Sequence, residues 1–353
     1  MSFKQLESER AIREIDRNNM LKGLLEYPSY FRSAWELARE KIDLGEIDSV
    51  VMCGVGGSGV GCMLVEDIYS SVSPIPLIHV GDFELPRFLS EKTLVILVSY
   101  SGNTEEVIRC GIDALDKGCK IVVISSGGRL KEKIGEKAVF IELPKEIRVP
   151  RLAFPYLFMT ILRVLAEVGI ISVNEAELEK AFNVLDEMSR EFSPAVKIDK
   201  NEAKRVAAEL FGKTPIIYAY KRQRAIAHRF KSQLNENCKM RALEAELPEL
   251  LHNEIVAWEK DFSEKDLVVL VRWGLEKPWV KERFELLKEA LMGKAKILEI
   301  RPRGDSELSW VLSTIYLIDF STFYLSILRK VDPVPVKSID WFKREVRKRV
   351  RVP

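Results

Sequence analysis

Histidine is nearly missing from this chain of 353 residues: His79, His228 and His252 are all it has. Five cysteines, Cys53, Cys62, Cys110, Cys119 and Cys238, are odd in number and show no C-x-x-C spacing. With so few ligands no zinc site of a common pattern is expected, and a disulfide scaffold is excluded. The cysteines read as reduced thiols of a cytoplasmic protein. Glutamine is equally scarce, at Gln5, Gln223 and Gln233. Charge of one sign is lacking too. The 55 basic and 53 acidic side chains leave a net charge of +2, which gives no field to attract nucleic acid or acidic partners. The charged start, MSFKQLESERAIREIDR, is no signal peptide. No uninterrupted apolar run has membrane length. Residues 153–173 include Arg163 and Glu167, and residues 310–328 include Asp319, so both read as buried helices. One basic cluster stands out: Lys343, Arg344, Arg347, Lys348, Arg349 and Arg351. It reads as the solvated end of a helix, with a nucleic-acid or membrane tag as the competing interpretation.

What the chain does contain is an ordinary globular composition, 47% hydrophobic and 31% charged, with length for about two domains. The segment up to residue 46 reads helical, from Leu21, Leu24, Leu25, Phe31, Ala34, Leu37 and Ala38. Strand-like runs follow at 49–55, 75–80, 93–99 and 120–125, separated by helical patterns. That alternation predicts βαβ units around a parallel sheet. Helices are expected at 155–168 and 175–192. The pattern then restarts. Residues 214–220 resemble 50–55, residues 267–273 resemble 94–100, and residues 296–304 resemble 120–128, in the same order. The expectation is an α/β protein of two related, doubly wound, mostly parallel-sheet domains with flanking helices, divided as 1–155 and 156–353, with ligands bound in the cleft between them. Trp273 and Trp310 are expected in the core.

The first strand runs into Gly54-Val-Gly-Gly-Ser-Gly59, where Gly54, Gly56 and Gly59 fit the dinucleotide fingerprint and Asp82 sits where a ribose-binding acid would. The shared physical content is simpler. Glycines turn the backbone tightly and aim the N–H groups of the next helix at an anion, while Ser58 adds a hydroxyl. The third strand ends in Ser99-Tyr-Ser-Gly-Asn-Thr104 and then becomes a helix. Ser99, Ser101 and Thr104 put three hydroxyls around a turn, a set that suits the oxygens of a phosphate monoester and that a nicotinamide cofactor does not call for. Ser101 also suits the N-cap, with Thr104 and Glu105 in the first turn.

Gly-Gly-Ser-Gly followed by Ser-Tyr-Ser-Gly-Asn-Thr-Glu-Glu resembles the sugar isomerase domain over residues 45–145. Residues 150–155, 234–238, 249–253 and 332–336 extend the resemblance to the archaeal-type bifunctional phosphoglucose/phosphomannose isomerases. It implies metal-independent, cofactor-free aldose–ketose isomerisation of glucose 6-phosphate and mannose 6-phosphate to fructose 6-phosphate. Gly56, Gly57, Ser58, Ser99, Ser101 and Thr104 would hold the phosphate. Glu236, by itself one surface acid among many after a helix over 225–234, would move the proton. His252, by itself more simply a structural histidine, would open the ring and reach the site of a second subunit in a homodimer. Arg151, which could equally hold an interdomain ion pair, would stabilise the enediolate. A lysine of the last helix would face the site, Lys343 ahead of Lys337. Val334 stands where that family often has Thr, which bears on mannose 6-phosphate. A non-catalytic phosphosugar-binding regulator of the same fold is the alternative.

Overall fold

Val50-Val-Met-Cys53 and Leu94-Val-Ile-Leu-Val98 are runs with no polar alternation, the pattern of strands covered on both faces. In a computed structural model that describes residues 3–39 and 42–349, they become central strands. The elements, in chain order, are α1 (Glu9–Ile15), α2 (Met20–Leu25), α3 (Tyr27–Glu36), β1 (Ser49–Cys53), α4 (Gly57–Tyr69), β2 (Leu77–Val80), β3 (Thr93–Val98), α5 (Glu105–Asp116), β4 (Lys120–Ser125), α6 (Gly128–Ile134), β5 (Val139–Glu142) and α7 (Phe154–Glu167). There follow α8 (Glu175–Glu191), α9 (Glu202–Leu210), β6 (Thr214–Tyr220), α10 (Arg224–Cys238), β7 (Leu243–Leu247), β8 (Asp266–Val271), α11 (Pro278–Ala290), β9 (Lys296–Ile300), α12 (Glu307–Leu328) and α13 (Lys337–Arg349). Arg351 of the basic cluster lies outside the described residues.

Two compact units result: residues 29–173 with 335–353, and residues 1–28 with 174–334. The single boundary expected at 155 is therefore corrected. The helices α1 and α2 belong with the second sheet, and α13 and most of α3 with the first.

In the unit built on the first sheet, the order is β2-β1-β3-β4-β5, all parallel. Val51, Cys53, Val95, Leu97, Ile121 and Val123 pack with Val107, Ile108 and Cys110 of α5 and with Leu130 and Ile134 of α6. Strand alternation turns Val50, Met52, Leu94 and Ile96 to the other face. That face takes α4 and α7, which meet where a Cβ on Gly61 would lie 3.6 Å from the Phe158 backbone.

The other unit carries β7-β6-β8-β9, again parallel, so β6, β7, β8 and β9 repeat the places of β1, β2, β3 and β4. Its helix α12 is apolar on all sides and long enough to span a bilayer. From Val311 to Leu328 it is buried throughout, however, with α8, α9 and α10 packed around it. Trp273 and Trp310 form an edge-to-face pair, centroids 5.6 Å apart, half-buried at the surface rather than in the core. Trp310 stays there because its ring lies over Gly274 and its indole N–H donates to the Gly304 carbonyl at 3.0 Å.

Candidate active site

Gly56 is the N-cap of α4, at φ +60°, and no side chain caps the helix there. Both Gly56 and Gly57 are exposed, and a Cβ built on either meets nothing within 4 Å. The first N–H groups of a thirteen-residue helix therefore open onto free space. The rest of the turn is tight. A Cβ on Gly59 would lie 2.7 Å from the Gly54 carbonyl oxygen, and His79 Nε2 sits 2.9 Å from that same oxygen. Asp82 engages the N–H of Phe83 with its carboxylate, at 2.6 Å.

β1 and β3 are neighbours whose following connections leave in opposite directions, the switch point where open α/β sheets bind ligands. The second loop starts there. Ser99 is buried, and its hydroxyl lies 2.8 Å from that of Thr104. Thr104, not Ser101, is the N-cap of α5, and its side chain makes no capping bond because it turns to Ser99 instead. Ser101 is exposed, and its Oγ accepts from the Asn103 N–H at 3.3 Å. The two loops touch: the Tyr100 N–H donates to Ser58 Oγ at 3.4 Å. Ser58, Ser99, Ser101 and Thr104 are thus brought to one end of one sheet.

A third loop supports the second. The Ser126 N–H donates to the Tyr100 carbonyl at 3.0 Å and the Leu130 N–H to the Gly102 carbonyl at 2.9 Å. Tyr100 also sends its phenol to the Pro144 and Ile147 carbonyls, at 2.8 and 3.1 Å, and burial raises its pKa. Three residues past Ile147 begins the 3-10 turn Pro150–Ala153, which carries Arg151, 8% exposed, into α7.

Lys343 joins this loop cluster through α13. A groove of about 620 Å³ is lined by Ser101, Asn103, Thr104, Glu105, Glu106 and Phe83 on one side and by Ser338, Ile339, Phe342, Lys343, Val346 and Arg347 on the other. Lys337 is not among its lining residues. His79, Tyr100, Ser126 and the apolar wall of α13 were not singled out from the sequence. Ile339, Phe342 and Val346 recur at helical spacing and were the available signal. The others act through backbone contacts between loops, which spacing does not reveal.

Glu236 and His252 belong to the other unit. α10 continues past the expected end at 234 to Cys238, so Glu236 lies in its last turn, half-buried. The turn is held by Asn237 Nδ2 on Thr322 Oγ1 at 3.0 Å and by Lys239 Nζ on the Pro333 carbonyl at 3.1 Å. One and two turns back on the same face, Gln233 and Arg229 bind Asp319 of α12, with Arg229 Nε 3.0 Å from Oδ1. Burial opposes the charge on Arg229. Asp319, Tyr27 and, more weakly, Glu236 more than offset it and raise its pKa. His252 ends the 3-10 turn Glu249–His252 and is exposed. Val334 is half-buried, its N–H bound to Asp332 Oδ1 at 3.0 Å. The second unit has no glycine loop after β6. There Gln223 Oε1 accepts from the Tyr220 N–H at 3.1 Å and Arg222 pairs with Glu307 at 2.8 Å.

Residues 199–346 match the family described as bacterial phospho-glucose isomerase C-terminal SIS domain. The chain is 34% identical over 336 residues to a bifunctional phosphoglucose/phosphomannose isomerase of Caldicellulosiruptor bescii, covering 93% of this chain and 98% of that one. It is 30% identical over 230 residues to a D-glucosamine-6-phosphate 4-epimerase of Sulfolobus acidocaldarius, covering 64% and 68%. Among solved structures, the hypothetical protein TT0462 of Thermus thermophilus shares the fold with a TM-score of 0.75, at 16% identity and 98% and 94% coverage. By its identity along nearly the whole length of such relatives, the chain belongs to the bifunctional phosphoglucose/phosphomannose isomerase family.

Proposed function

We propose that this protein interconverts glucose 6-phosphate and mannose 6-phosphate with fructose 6-phosphate through an enediolate. The observation that carries the proposal is the pair of loops at the β1/β3 switch point. They join the uncapped N-terminus of α4 to four hydroxyls, those of Ser58, Ser99, Ser101 and Thr104. Phosphate oxygens are acceptors only, and N–H and O–H groups converging at a helix N-terminus supply donors and a favourable dipole together.

The chemistry then needs one base and one stabilised oxyanion. The Glu236 carboxylate takes the proton from C2 of the open-chain aldose and returns it to C1, while a proton passes from the C2 hydroxyl to the C1 oxygen. The Arg151 guanidinium offsets the charge that develops on the enediolate oxygen. His252 assists ring opening by proton transfer and acts from the partner subunit of a homodimer. Lys343 lies over the second hydroxyl loop and adds positive charge beside the phosphate. Val334 presents no hydroxyl to the C2–C3 region, so the mannose epimer is expected to turn over more slowly than the glucose one.

The test is a coupled assay in EDTA that offers glucose 6-phosphate, mannose 6-phosphate and glucosamine 6-phosphate separately. Fructose 6-phosphate from the first two supports the proposal. Glu236→Gln should then lower kcat about a thousandfold and leave sugar-phosphate binding intact. Full turnover by that variant removes Glu236 as the base. Saturable binding without turnover of any of the three would favour the regulator. Conversion of glucosamine 6-phosphate alone would point to epimerisation.

A further inference from the structure

α13 is the unusual helix of the unit built on the first sheet. Among the described residues it buries none, and Ile339, Trp341 and Phe342 are 39%, 53% and 62% exposed. Apolar packing alone therefore does not fix where it lies. Among the described residues, its polar contact with the loops is a single ion pair: Arg347 Nε stands 3.6 Å from Oε1 of Glu105. Glu105 is the first residue of α5, directly after Thr104, and its side chain is 17% exposed against 58% for Arg347.

We infer that Arg347 is a positioning residue, which seats α13 on the mouth of α5 and thereby sets where Lys343 falls over the second hydroxyl loop. This rests on the phosphosugar reading of that loop. Residues four apart on a helix share a face, one above the other. With Arg347 held at Glu105, Lys343 is placed one turn away, about 6 Å along the axis. There it lines the groove with Ser101, Asn103 and Thr104. An exposed ion pair of this length contributes little to folding stability, so its effect is on the position of the helix.

Charge supports the assignment. Glu105 and Glu106 both stand in the first turn of α5. Carboxylates suit a helix N-terminus, but these two adjoin the place where a phosphate dianion is expected. Arg347 pairs with the first of them. Without that pairing Lys343 is free to leave with its helix.

The experiment pairs a kinetic cycle with hydrogen exchange on the full chain. Arg347→Met and Glu105→Gln should each raise KM for the sugar phosphate three- to tenfold with kcat changed less than twofold, and Arg347→Lys should recover most of the loss. In a Lys343→Met background, adding Arg347→Met should cost nothing more. Amides of 337–349 should exchange about two- to fivefold faster in Arg347→Met, with those of β1 and β3 unchanged. Additive losses in the cycle, or unchanged exchange of α13, would overturn the role of Arg347 while leaving the isomerase reading intact. Faster exchange in the variant of a protein that isomerises no hexose phosphate would sustain the seating of α13 and reject the reading of the site.

Discussion

Gly102 and Gly57 lie on neighbouring loops and face opposite demands. Gly102 has φ +64°, and a Cβ there would lie 1.7 Å from the Gly127 carbonyl oxygen. Both the backbone conformation and the supporting third loop forbid a side chain. Gly102→Ala should cost about 3 kcal/mol in urea unfolding, through strain and displacement of residues 125–128. A Cβ on Gly57, by contrast, meets nothing within 4 Å. Gly57→Ala should leave stability within about 0.5 kcal/mol of wild type, since nothing is crowded and a helix position favours Ala. Its methyl group would instead enter the space in front of the α4 N–H groups. KM for the sugar phosphate should therefore rise about tenfold, a loss of roughly one charge-assisted hydrogen bond. An unchanged KM would show that the phosphate does not lie against α4. The two residues look alike in the sequence, and only the packing tells which one serves the fold.

At the scale of elements, α10 and α12 are joined by a buried knot. The Arg229 guanidinium meets both oxygens of Asp319, Gln233 Nε2 adds a bond at 2.8 Å, and the Tyr27 hydroxyl lies 3.3 Å from Arg229. Asp319→Ala would leave a guanidinium buried without its carboxylate and should cost about 3–5 kcal/mol in urea unfolding. Arg229→Met combined with Asp319→Leu should recover most of that, because the penalty comes from the uncompensated charge. A single-variant cost under about 1 kcal/mol would mean that water reaches the pair. Asp319 entered the sequence reading only as a reason against a membrane span. Its partner is ninety residues away, and such pairing leaves no local signal. The strands legible in the sequence were those buried on both faces, β1, β3, β4, β6 and β8, together with the less buried β2 and β9, whose runs of β-formers still show. β7 was missed because Glu244 and Glu246 interrupt its apolar run. On the folded edge strand Glu244 meets His228 at 2.9 Å and Lys231 at 2.6 Å. β5, also missed, is an edge strand of four residues beside β4, too short to show a pattern. The end of α10 was misplaced because Asn235-Glu-Asn237 reads as a breaker, whereas Asn237 and Cys238 are bonded to Thr322. The hydroxyl loops were legible for the reverse reason, being contiguous in sequence and set at strand ends.

For the whole molecule, the division into units shows why a domain boundary could not be read along the chain. Residues 1–28 join the second sheet through contacts such as Gln5 with the Leu328 carbonyl and Tyr27 stacked on Tyr316, centroids 5.7 Å apart. These pairs are separated by most of the sequence, and composition does not shift where the units meet. The same scale decides how many copies complete the site. His252 is exposed on a 3-10 turn, and around it on the chain Leu243, Val256 and Phe262 are exposed by 56%, 58% and 43%. If His252 serves the partner's site, Glu236→Gln and His252→Ala subunits are each inactive alone but complementary. In a mixed dimer one site receives an intact Glu236 from one chain and an intact His252 from the other, while the second site receives neither. Random exchange makes half the dimers mixed, so refolding the two variants together should restore about a quarter of wild-type activity. Analytical ultracentrifugation of the same mixture checks that dimers are present. If dimers form and no activity returns, His252 works within its own chain, and the proton transfer that opens the ring is completed without a second subunit.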